Sequence, residues 1–173
     1  MRKRSEYLLV DGYNIIFAWK DLRDLAESSL EDARIKLLDV LCDYQGYKQN
    51  RVIAVFDAHL RRGAESVEAY NNIQVVFTKE AETADNFIER TTAVLAKHDK
   101  VRVVTSDYTE QIIIMGQGAI RISASDFRRE IDTLHSEAQK RFLNKRPVKK
   151  NPLIELLDEK TAELLEQMRR NQE

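Results

Sequence analysis

Four aspartates, Asp11, Asp57, Asp85 and Asp107, are the side chains of this sequence best suited to do chemistry together. Val10-Asp11, Phe56-Asp57 and Thr105-Ser106-Asp107 each close a short apolar run, and Asp85 opens a helical stretch shortly after Glu80 and Glu82. Carboxylates drawn into one place repel, which raises their pKa values or strains the fold. A divalent cation removes that conflict, and an oxygen-only ligand set suits magnesium or manganese. Ions held as a pair about 4 Å apart can activate water and stabilise the leaving oxygen when a phosphodiester is cut. Taken singly, each acid has an ordinary role. Asp107 suits a helix N-cap, Asp85 complements a helix dipole, Asp57 suits a turn, and Glu80 and Glu82 suit a solvated surface. Asp11-Gly12 with Asn14 reads as a turn. The coincidence of the four aspartates at one edge is what outweighs these separate explanations.

That edge follows from the elements. Apolar runs at 7–10, 51–56, 73–77, 101–104 and 119–122 read as five strands. Helical periodicity lies between most of them, so the expected fold is α/β: a parallel sheet covered by helices on both faces. Loops after parallel strands leave on one edge, where ligands bind in such sheets. Gly12 would permit a tight turn there and Asn14 would fold back toward Asp11. Ser28 and Glu31 stand at capping-box spacing before a helix that Gly46 would stop. Residues 17–27 read as a loop with a helical turn, and 58–72 as a connection with a weak helical pattern. The helix after Thr83 would bury Phe87, Ile88, Val94 and Leu95. Asp107 would open a short helix, and Ser123-Ala124-Ser125-Asp126 would cap another that buries Phe127, Ile131, Leu134, Ala138 and Phe142. Pro147 and Pro152 mark a break, so residues 1–146 form the expected catalytic domain. Residues 147–173 hold the end of a basic linker and a C-terminal amphipathic helix.

The chain has 173 residues, enough for one domain with a sizeable core, with 43% hydrophobic and 33% charged residues. Its single cysteine, Cys42, leaves no intramolecular disulfide partner and reads as a small buried hydrophobe. No run approaches a membrane span, and no signal peptide follows the basic start, so the expected location is cytoplasmic. The formal net charge is -1, but its distribution is uneven. Lys140, Arg141, Lys145, Arg146, Lys149 and Lys150 fall in one stretch without an acid, and Arg61-Arg62 and Arg128-Arg129 are further basic pairs. Such margins around an acidic centre suit a polyanion, and the 140–150 stretch suits a solvated tail segment equally well.

Val10-Asp11-Gly12-Tyr13-Asn14, Val55-Phe56-Asp57, Thr83-Ala84-Asp85-Asn86 and Thr105-Ser106-Asp107 together resemble the NYN branch of PIN-like ribonucleases. The closer resemblance is to the YacP-like family of bacterial ribosome-associated mRNA endonucleases. It runs from about Tyr7 to Phe142. The resemblance implies a Rossmann-like PIN/NYN fold, with a central, mainly parallel sheet of about five strands, and metal-dependent RNA cleavage in the cytoplasm, with Asp11 and Asp85 central to the site. Asp107 and Asp57 match further motif acids, and Asn14 matches an asparagine expected to orient Asp11 or a water. The implied cofactor is Mg2+ or Mn2+ and the implied partners are mRNA and the ribosome. Metal would rest on Asp11, Asp57, Asp85 and Asp107, with Glu82 or Glu80 as an additional acid. Arg61, Arg62 and the 140–150 cations would meet RNA or ribosome, and hydrolysis would leave a 5′-phosphate and a 3′-hydroxyl. The alternative is a non-catalytic RNA- or ribosome-binding module on the same fold. A phosphoacceptor receiver domain is disfavoured because Ser123-Ala124-Ser125 stands where a lysine is expected after the fifth strand. A dinucleotide enzyme is disfavoured because no G-x-G-x-x-G follows the first strand.

Overall fold

A computed structural model of the chain describes residues 4–57, 66–79, 81–106, 116 and 118–143. In chain order the elements are β1 (Glu6–Asp11), α1 (Gly12–Ala18), α2 (Lys20–Ser28), α3 (Leu30–Lys48), β2 (Arg51–Phe56), β3 (Ser66–Tyr70), β4 (Ile73–Phe77), α4 (Ala84–Leu95), β5 (Lys100–Val104), β6 (Ile120–Ile122) and α5 (Ala124–Leu143). The strands make one sheet of order β3-β4-β2-β1-β5-β6. All pairings are parallel except β3 with β4. The chain divides into two compact units, Met1–His135 and Ser136–Glu173. Within the second, the described residues are the last turns of α5.

Period-two alternation builds the two faces of the sheet. Leu8, Val10, Ala54 and Phe56 point to one side and pack with Ile15, Leu37, Leu41 and Phe127 from α1, α3 and α5. Leu9, Val55, Val101 and Val103 point to the other and pack with Ala84 and Ile88 of α4. β1 lies between β2 and β5, with Leu9 beside Ile53 on one side and Val103 on the other. Such strands are buried on both faces, which is why they read as nearly continuous apolar runs. Each fully buried aliphatic side chain contributes about 1.5–3 kcal/mol. Aromatic rings close the first face: Tyr44 meets Phe127 edge-on at 5.1 Å between centroids, and Trp19 stacks on Phe127 at 6.0 Å.

Several expectations change. The sheet has six strands, because residues 66–70 form an antiparallel edge strand within the expected connection. The expected loop at 17–27 is the end of α1 and most of α2, separated by the extended Trp19. The cap of α3 is Ser29, whose hydroxyl accepts from the Asp32 N–H at 3.1 Å, rather than Ser28. That helix runs through Gly46 and ends at Gln49, which is left-handed at φ 56°. On α4, Val94 is exposed and Thr92 takes the buried position. Cys42 is half-buried at the margin of the core and unpaired by any disulfide. The expected helices opening at Asp107 and spanning 153–170 lie outside the described residues.

Candidate carboxylate site

The order of the strands reverses beside β1: the chain moves out through β2 and β4, then returns to β5 on the other side. Such a switch point opens a crevice at the carboxyl ends of the strands. Asp11 is the last residue of β1 and points, like Leu9 before it, toward the α4 face. Asp57 directly follows β2 and continues the Ile53 and Val55 face. Asp85 lies in the first turn of α4, whose N-cap Thr83 accepts from the Asn86 N–H at 3.2 Å. One pleat and one helix start therefore aim three carboxylates at a common place.

Asp11 is buried, at 7% exposure. Burial is the main reason its carboxyl rises from 3.8 to about 7. The Asn14 N–H, donating to Asp11 Oδ1 at 3.1 Å, pulls the other way. The charge of Asp85, a hydrogen bond with its side chain, and the charge of Asp57 push Asp11 further up. A hydrogen bond between two carboxyls requires one of them to keep a proton, so the pair is short of positive charge. Among the described residues no three His, Cys, Asp or Glu side chains stand ready as a complete metal cage. Two carboxylates in contact with a third nearby nevertheless suit magnesium, which is commonly held by one or two carboxylates while keeping waters. Asp11 and Asp85 are the residues that could hold it, with Asp57 adding negative field.

Two neighbours set the geometry. Asn14 does not turn its carboxamide on Asp11. Its backbone holds Asp11, while its Oδ1 accepts from the Ser106 N–H at 2.8 Å. The side chain thus ties the first turn of α1, just after β1, to the segment that follows β5. Gly12 begins α1 and lies outside the left-handed region. It is required for space instead: a Cβ there would sit 2.6 Å from two ring carbons of Phe56. Phe56 itself is wedged between Tyr13, at 5.1 Å edge-on, and Phe77, stacked at 5.6 Å.

Of the remaining candidates, Glu82 turns to Arg90 at 2.7 Å instead of Asp11. Lys140 and Arg141 are exposed on the last turn of α5. Glu80, Asp107, Arg61, Arg62, Lys145, Arg146, Lys149 and Lys150 lie outside the described residues. A feature that sequence reasoning missed is a groove of about 690 Å³ whose rim includes Ser106, with Trp19, Arg121 and Arg128 among its lining residues. Its only sequence signal was the Arg128-Arg129 pair.

A profile of the YacP-like NYN domain matches residues 8–170. The chain belongs to the YacP-like NYN domain family. It is 47% identical over 137 residues to YacP of Bacillus subtilis (strain 168), covering 79% of this chain and 81% of that one. The crystal structure of Rae1 (YacP) from Bacillus subtilis superposes with a TM-score of 0.70 at 44% identity, covering 95% of this chain and 94% of the other. A point variant of that protein gives a TM-score of 0.70 at 42% identity, over 83% of this chain and 86% of its own. The α/β fold with its mainly parallel sheet is thus that of the family, and it is nuclease-like. No helix among the described residues is long and apolar enough to cross a membrane.

Proposed function

We propose that the protein is a divalent-metal-dependent endoribonuclease that cuts mRNA on translating ribosomes in the cytoplasm. The observation that carries this reading is the meeting of Asp11 and Asp85, under the field of Asp57, at the switch point of a nuclease-like sheet. Bound magnesium or manganese would supply charge neutralisation at the scissile phosphate and activation of water. The chain's own residues do the rest. Asp11 and Asp85 would hold the cation, Asp57 would strengthen the negative field, and the Asn14 backbone fixes the Asp11 carboxylate. The Asn14 carboxamide holds the start of α1 against the segment after β5. Asp107 follows Ser106 in sequence and is proposed as a further ligand. The 140–150 cations are proposed to hold the complex on RNA through salt-sensitive phosphate contacts.

The test is purified protein incubated with naked RNA and with an mRNA under translation, each with manganese or with chelator, followed by mapping of the cut ends. Cuts that need manganese and bear 5′-phosphates support the reading. Translation-dependent cuts support the ribosomal part of it. Manganese-independent cuts, or none in either sample, overturn it and leave a binding module on the same fold.

A further inference from the structure

Beside the carboxylates lies a second feature that the cleavage site does not use. The groove runs between the α1–α2 junction and the β6–α5 junction, and its volume of about 690 Å³ lies within the roughly 300–1,000 Å³ of sites that engulf small ligands. Lys20, Arg121 and Arg128 line it against one acid, Asp21. The lining is therefore cationic in a chain whose formal net charge is -1.

The two arginines are held differently. The Arg128 guanidinium lies 4.9 Å from the Trp19 ring centroid and is braced by Asp21 at 3.2 Å and Asp132 at 3.6 Å. Trp19 is fixed in turn, because its indole N–H donates to the Ala124 carbonyl at 2.9 Å. A planar fork immobilised this way loses little freedom when a phosphate takes its remaining donors. Arg121 has a buried Nε with no hydrogen-bond partner among the described residues. Asp126, whose carboxyl feels the Arg121 charge, is already paired with Arg129. A buried donor left unmade is costly, and with no described carboxylate paired to it the Arg121 guanidinium still has its charge to offer an anion in the groove. Ser106 joins this groove to the cleavage site, since it lines the groove while its N–H is bonded to Asn14, next to Asp11.

We propose that this groove seats the phosphodiester backbone of single-stranded RNA flanking the scissile bond, with Arg121 and Arg128 as its phosphate contacts. The proposal rests on the endoribonuclease reading and adds where the substrate strand lies. On the same wall the Ser123 hydroxyl is committed to Asp126 at 2.6 Å, and the Ser125 hydroxyl, 3.0 Å from it, can turn its one hydrogen to the strand instead.

Binding of a fluorescent single-stranded oligoribonucleotide, measured across a salt series in EDTA, tests it with the full-length protein and an Arg121→Gln/Arg128→Gln variant. Each lost contact to single-stranded RNA lowers the slope of log affinity against log salt by about 0.7. The double variant is expected to bind roughly tenfold more weakly, with a slope smaller by about 1.4. Equal affinity and slope overturn the groove and leave the carboxylate reading to its own cleavage test. Failure of the unaltered protein to bind likewise overturns the groove, while the cleavage reading stands or falls on cuts in the translated mRNA. Photocrosslinking of a 4-thiouridine oligonucleotide to the unaltered protein does not depend on how the variant folds. Crosslinks within 18–21 and 121–128 support the proposal, and crosslinks confined elsewhere overturn it.

Discussion

At the scale of single residues, the site is built at the expense of stability. Asp11 is placed where burial and two like charges oppose its ionisation, an arrangement that a folding domain gains nothing from by itself. In cation-free protein at neutral pH, Asp11→Asn is therefore expected to stabilise the fold. The new carboxamide oxygen can still accept from Asn14, and its NH₂ can donate to Asp85. A gain of about 1 kcal/mol corresponds to roughly 2–4 °C in a chain of this size. Manganese should raise the melting temperature of the unaltered protein and leave that of Asp11→Asn nearly unmoved, because only a folded site binds the ion. Differential scanning fluorimetry with and without manganese reads both. Asn14→Ala removes the tie to Ser106 while sparing the backbone bond to Asp11. It is expected to lower kcat by roughly tenfold, about 1.4 kcal/mol in the barrier, with RNA affinity unchanged; loss of affinity at constant kcat would assign Asn14 to binding instead. The acids of this site were legible in the sequence because each ends a strand or begins a helix. The reason for Gly12 was not, because it lies in the ring of Phe56, 44 residues along the chain.

At the scale of elements, the junction of β1, α1 and β2 decides how well Asp11 is aimed. Gly12→Ala forces the Phe56 ring away from Tyr13 and Phe77, an overpacking that costs about 1–3 kcal/mol, and should cut activity. Phe56→Leu in the same chain is expected to restore part of both, a coupling that a double-mutant cycle measures. A second junction joins α3, β5 and α5. Glu130 accepts from Arg102 at 2.6 Å and from the Tyr44 hydroxyl at 3.0 Å, and pairs with Lys48 at 3.1 Å. Burial opposes its ionisation, but these partners more than offset that and bring its carboxyl from 4.5 down to about 2. A lowered folded pKa contributes stability that is present above the unfolded value and lost as pH falls through the folded one. Glu130→Gln should thus cost on the order of 1 kcal/mol at pH 7, after discounting for solvent screening, and progressively less as pH falls from about 4.5 toward 2. A constant difference across that window in urea titrations would contradict the assignment. Legibility at this scale followed burial. The five parallel strands announced themselves as apolar runs, whereas β3 lies on the sheet edge with Val67, Glu68 and Ala69 exposed and carries no such signal. α2 was hidden for the same reason, with Leu22 its one fully buried residue.

At the scale of the whole molecule, acids and cations are sorted onto two neighbouring sites linked through Ser106. The α/β sheet could be read from its apolar runs and the family from four short motifs that stand at or beside strand ends. The neighbouring groove could not, because Trp19, Ser106, Arg121 and Arg128 come from separate segments that only the folded sheet brings together. Under the proposed function, Asp11 and Asp85 would hold the divalent ion that cuts RNA. Single-turnover cleavage of a translated mRNA in manganese, comparing the unaltered protein with Asp11→Asn and Asp85→Asn, tests it most directly. Both variants should remain folded and lose at least a hundredfold in rate, about 2.7 kcal/mol in the barrier. Cleavage by either variant at the rate of the unaltered protein would contradict the claim.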